Sequence, residues 1–201
     1  MARALKNVLI VSSATFLSRI LGLGRDIALF TLLGASAWSS AFVFAFTIPN
    51  LFRRLLGEGA LTSAAIPVLS ETDEQEGRDA GFTLLNQLLT RLLAVLVALA
   101  GIGSGAMLLL RLHPGEGARW DLASSLGVLL MPYLVLICLA AIFAAALHVL
   151  HRFTVAALSA VWLNLAMLAS LGAGAVLYPD DPERLTFLLC GGVLFGGMLQ
   201  L

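Results

Sequence analysis

The chain has 201 residues, 60% of them hydrophobic and 12% charged, with a mean hydropathy of +0.98. Soluble domains carry about 25% charged residues, so this composition excludes a globule with a water-facing surface and names lipid as the solvent. Twelve basic and twelve acidic residues cancel, so no basic excess points to nucleic acid, and any charged site must show itself by placement.

A helix needs about 20 apolar residues to cross the bilayer core. The amino-terminal stretch MARALKNVLIVSSATFL puts Arg3 and Lys6 ahead of an apolar run, as a signal peptide does. Arg19 follows directly, however, and no convincing small-x-small cleavage site is present. The stretch reads as an uncleaved first span over 7–33. A short turn at 34–38 leads to a second span over 39–69, and both spans contain charges. Uncharged runs at 92–110, 122–150 and 153–178 predict three more spans, over 84–110, 122–150 and 153–178. A sixth, 185–201, is apolar to the last residue. Hydrophilic breaks at 71–79, 111–121, 151–152 and 178–184 separate them. The expected fold is all-α and polytopic, with about six transmembrane helices in a single lobe over 1–201.

Lysine and arginine near helix ends set orientation. With the amino terminus inside, the cytoplasmic side collects Arg3, Lys6, Arg78, Arg91 and Arg152, and the outside Arg111, Arg119 and Arg184. Trp38, Trp120 and Tyr178 stand at or beside helix ends, where the interface favours them. Gly101-x-Gly103-x-Gly105 and Gly192-x-x-x-Gly196 read as helix-packing positions. Cys138 and Cys190 lie mid-span and read as small packing residues. His113, His148 and His151 have no carboxylate near them and read as interfacial. No metal-ligand spacing or cofactor motif is present.

Chemistry concentrates in the first two spans. At 100° per residue, Ser12, Thr15, Ser18, Arg19, Gly22, Arg25 and Asp26 fall within an arc of about 140°. Thr47, Asn50, Arg53, Arg54, Gly57 and Glu58 share a similar arc on the second helix, and Pro49 should kink it. A polar stripe on an apolar helix must face protein or a wet cavity. Arg25 can pair with Asp26, and Arg54 with Glu58 at i,i+4. Four arginines therefore meet two acids, leaving positive charge that costs at least about 2.5–3.5 kcal/mol per residue at mid-membrane. An anion would offset it, and a guanidinium grips phosphate with two parallel hydrogen bonds.

The segments SSATFLSRILGLGRD (12–26), AFVFAFTIPNLFRRLLGEGALTSAAIPVLSE (41–71) and HRFTVAALSAVWLNLAM (151–167) closely resemble the MurJ/MviN lipid II flippase family, within the multidrug/oligosaccharidyl-lipid/polysaccharide exporter superfamily. The resemblance implies the amino-terminal lobe of a fold with about fourteen helices in two lobes around a central cavity. It implies a multi-pass protein of the bacterial inner membrane, which moves undecaprenyl-diphosphate-linked peptidoglycan precursor outward by alternating access. Cavity residues Arg19, Arg25, Arg53 and Arg54, with Ser18 and Asn50 beside them, would bind the diphosphate, and Asp26 and Glu58 would supply supporting ion pairs. The family usually has Asp just before the Ala-Phe that opens the second helix, where this chain has Ser40. With six spans the chain is expected to be a partial one. The alternatives are an exporter of another polyprenyl-linked oligosaccharide, or a lobe that does not transport alone. An enzyme acting on the same lipid is not expected, because no D-D-x-x-D, no Ser/His/Asp grouping and no His beside the arginine stripe is present.

Overall fold

The computed structural model describes residues 2–52, 55, 61–111, 118–150 and 152–201. Seven helices make up nearly all of the described residues: α1 (Ala2–Leu33), α2 (Ala37–Phe52), α3 (Leu61–Glu76), α4 (Arg78–Arg111), α5 (Ala118–Val149), α6 (Phe153–Leu177) and α7 (Pro182–Leu199). Arg53, Arg54, Gly57, Glu58, His113, His151 and the side chain of His148 lie outside the described residues.

At one of the expected hydrophilic breaks the helices run close together. The acidic stretch 71–79 is helical except at Gly77, whose φ of +88° only glycine adopts freely. Carboxylates there mark where a helix leaves the apolar slab, not where it stops, because charged residues carry no penalty in a helix surrounded by water. A second tight reversal, at Gly34 with φ +61°, joins α1 to α2. Within the expected span 39–69 the described residues hold α2 and α3, each 16 residues long and containing a proline, Pro49 or Pro67. Three helical stretches, Arg78–Arg111, Trp120–Leu147 and Leu158–Leu177, are long and apolar enough to cross a membrane.

α5 is the axis of the lobe: α2, α3, α4, α6 and α7 all pack against it. Its Leu126, Leu130, Tyr133 and Leu134 are buried among Phe42 and Ala45 of α2, Leu96 of α4, and Leu189 and Val193 of α7. Cys138 and Cys190 are free thiols buried in the same cluster. Lipid tails are as apolar as leucine, so burial from water does not hold such helices together; close packing does. Gly192 of α7 meets Ser170 of α6 so closely that an added Cβ would collide with it, and a Cβ at Gly196 would press tightly on Leu163 and Ala166. Gly103 similarly lies under Met131 of α5. Gly101 and Gly105 do not share its role, since nothing among the described residues lies within 4 Å of where their Cβ would stand. Two residues along a helix is a turn of about 200°, so both point away from the contact that Gly103 makes.

Aromatic contacts align the ends. Trp38 at the start of α2 meets Phe187 near the start of α7, and Trp120 at the start of α5 meets Phe44. At the opposite end, the Gln200 amide donates to the Ser159 carbonyl at 2.9 Å. Asp181 caps α7 by accepting from the Arg184 N–H at 3.0 Å, and Arg184 lies over the Tyr178 ring.

α1 stands at the rim. It packs along α6 and touches α2 lightly. Its remaining face exposes Phe16, Ile20, Leu23, Ile27 and Phe30, an apolar strip suited to lipid or to further protein.

Candidate functional site

The polar arc of α1 is divided by its neighbour. Ala14, Leu29 and Leu33 are buried on the packed side, and Ser18, Gly22 and Arg25 lie on that side, toward α6. Ser12, Thr15, Arg19 and Asp26 lie on the exposed flank, next to the apolar strip. Thr15 turns its hydroxyl back onto the Val11 carbonyl at 2.8 Å, leaving Arg19 and Asp26 as the charged groups of that flank. Arg19 takes part in no hydrogen bond or ion pair among the described residues.

Arg25 is held from three sides. Its Nε and Nη2 donate to Asp26 Oδ1 at 2.9 and 2.7 Å. Its Nη1 donates to Asn164 Oδ1 at 3.1 Å, with Met167 Sδ at 3.7 Å. The Phe46 ring of α2 lies 5.9 Å from the guanidinium carbon, within cation–π range. The Arg25 side chain is 20% exposed, against 54% for Asp26. One guanidinium thus joins α1, α6 and α2, although it sits on a helix at the rim of the lobe.

Asn164 completes the joint. It is 7% exposed, and its Nδ2 donates to the Ser18 carbonyl at 3.0 Å, to Ser18 Oγ at 3.3 Å and to the Ala160 carbonyl at 3.1 Å. Gly22 faces the amide: a Cβ there would stand in ordinary van der Waals contact, 3.8 Å from both Asn164 polar atoms.

α2 contributes less that is charged. Pro49 is fully buried and Asn50 is half-buried, on the turn that follows Phe46. Phe46 itself stacks on Phe42 and Tyr133, which seats α2 against the α5 core. Ser40, where the resemblance expects an acid, donates its hydroxyl to the Ser36 carbonyl at 2.9 Å and adds no charge. Arg53, Arg54 and Glu58, and with them the expected Arg54–Glu58 pair, lie outside the described residues.

Of the sequence-predicted residues, the structure brings Ser18, Arg25 and Asp26 into one hydrogen-bonded group and leaves Arg19 beside it on the open flank. Asn164, Met167 and Phe46 belong to that group and were not singled out by sequence. Asn164 left a signal, as the one carboxamide in the run 153–178, and an amide at mid-span needs a partner. Phe46 and Met167 left none, being apolar residues on apolar helices.

With two arginines and one aspartate, the stripe keeps one unneutralised positive charge at the edge of the lobe. Such a wall can attract an anion and grip it through guanidinium hydrogen bonds. Among the described residues no group of three or more His, Cys, Asp or Glu could hold a metal ion.

The chain is similar to known proteins along nearly all of its length. The family model described as lipid II flippase MurJ matches residues 29–201. The lipid II flippase MurJ of Burkholderia cenocepacia is 34% identical over 200 residues, covering 97% of this chain and 38% of that protein. The probable lipid II flippase MurJ of Vibrio cholerae is 35% identical over 211 residues, covering 98% of this chain and 39% of its own length. A solved structure, lipid II flippase MurJ in an inward closed conformation, superposes with a TM-score of 0.74 at 26% identity, covering 96% of this chain and 40% of that one. The chain spans about two fifths of the length of the relatives it matches.

Proposed function

The chain belongs to the lipid II flippase MurJ family, and from that premise we propose that α1 and α2 form one wall of a transport cavity for a lipid carrying a saccharide on a diphosphate. The wall would hold the diphosphate through Arg19 and Arg25, joined by Arg53 and Arg54, with Ser18 and Asn50 as neutral donors. The lipid tail would remain in the bilayer along the apolar strip of α1. The protein would act as a transporter and not as an enzyme, alternating its access between the two sides of a bacterial inner membrane. The positive-inside count, five basic residues against three, favours an amino terminus in the cytoplasm. Lipid II is the substrate favoured by the names of the relatives, ahead of other polyprenyl-linked saccharides.

The observation that carries this reading is the unneutralised charge on the flank of α1, where Arg19 is exposed beside the Arg25–Asp26 pair. A cation in that position is costly in lipid unless an anion visits it or water reaches it. Transport needs release as well as capture. Several charge-assisted bonds of about 1.5–3 kcal/mol each suit that need better than one permanent ion pair.

The test is genetic. In the complete gene product, Arg19→Ala, Arg25→Ala and Arg53→Ala should each abolish rescue of a strain depleted of its own lipid II flippase, at membrane levels equal to wild type. Normal growth of all three variants would sink the proposal.

A further inference from the structure

The Arg25 guanidinium has two edges in use, and they face different surroundings. The outer edge, Nε with Nη2, can present two parallel donors to a phosphate, and both donate to the half-exposed Asp26. The inner edge, Nη1, rests on the buried Asn164, with Phe46 within cation–π range. The Asn164 amide has one workable orientation. A guanidinium only donates and a backbone carbonyl only accepts, so Oδ1 must meet Arg25 while Nδ2 meets the carbonyls of Ser18 and Ala160. Turning the amide over would oppose donor to donor and acceptor to acceptor.

We propose that Asn164 is a positioning residue for Arg25, gripping the inner edge of the guanidinium so that its outer edge faces the open flank, where Asp26 occupies the seat of the diphosphate until the ligand arrives. This rests on the diphosphate-binding reading above. Binding is then an exchange at one edge: phosphate oxygens replace the Asp26 carboxylate on Nε and Nη2, while the Asn164 bond persists. No covalent bond changes. Interhelical hydrogen bonds in membranes contribute little stability on average, so the bond matters more for where Arg25 points than for holding α1 to α6.

The test is a double-mutant cycle on the complete gene product in phosphatidylcholine nanodiscs, with undecaprenyl diphosphate as the probe and undecaprenol as its uncharged control. Asn164→Leu, close in size to the native side chain, should weaken undecaprenyl diphosphate binding about tenfold while leaving the thermal midpoint unchanged. In the Arg25→Ala background the same substitution should change affinity by less than about twofold, because the group it aims is gone. An equal loss in both backgrounds, or no loss in either, would overturn the inference. Asn164→Ala covers the case in which the leucine variant does not assemble. It removes the acceptor without adding bulk, so binding should again fall, and undiminished binding would overturn the inference. Wild-type protein that binds both lipids equally refutes the site reading itself. Wild-type discrimination that survives intact in the Asn164 variants refutes the positioning role alone.

Discussion

α6 makes two seams on neighbouring faces, and they are built on opposite principles. Toward α7 it offers Leu163, Ala166 and Ser170 to Gly192 and Gly196, and the backbones approach until no side chain fits between them. Toward α1 it offers Asn164 and Met167 to Ser18, Gly22 and Arg25, and the contact is made by hydrogen bonds to a charged group. The first seam relies on dispersion between surfaces in close contact, so it is lost by any added volume. The second relies on polar groups that a ligand can compete for, one partner at a time. A lobe that keeps its core while exchanging partners at its rim needs one seam of each kind. Lipid supplies no hydrophobic force to do either task.

The comparison breaks most visibly at the tight seam. Gly192→Leu drives a side chain into Ser170 and the Ala166 carbonyl. It should cost about 1–3 kcal/mol, read as a lower thermal midpoint of the solubilised protein, with the affinity of the folded fraction for undecaprenyl diphosphate unchanged. A stable Gly192→Leu protein with altered affinity would reverse the roles assigned to the two seams.

A smaller effect sharpens the polar seam. Asp26→Asn removes the carboxylate that competes for the outer edge of Arg25. Affinity for undecaprenyl diphosphate should rise about threefold to tenfold, with slower release in a single-turnover flipping assay and little change in thermal midpoint, since exposed ion pairs contribute about 0–1 kcal/mol. Weaker binding in this variant would show that Asp26 helps to hold the ligand.

Helical periodicity alone identified the stripe on α1. A rotation of 100° per residue placed Ser18, Arg19, Arg25 and Asp26 on one side of an otherwise apolar helix, and no alternative geometry was available to an apolar run of that length. Periodicity does not say which neighbour takes which part of an arc, and α6, more than 120 positions along the chain, takes one half and leaves the other open. Arg19 and Arg25 look equivalent in the sequence for that reason, yet in the structure one is exposed and the other clasped. The acidic stretch 71–79 contains the break between α3 and α4 without placing it: hydropathy reports where the chain meets water, and Gly77 is where the helix turns. Asn164 was visible as a polar residue out of place, but its partner was not, because a hydrogen bond across two helices has no sequence spacing.

The central claim is that the α1 wall recognises a diphosphate. It is tested most directly by titrating the complete gene product, in phosphatidylcholine nanodiscs, with undecaprenyl diphosphate and with undecaprenol. The account predicts that wild-type protein prefers the diphosphate by about a hundredfold or more, the worth of two charge-assisted contacts, and that Arg19→Ala and Arg25→Ala each erase most of that preference. Equal binding of the two lipids by wild-type protein, or a preference that survives both substitutions, would contradict it.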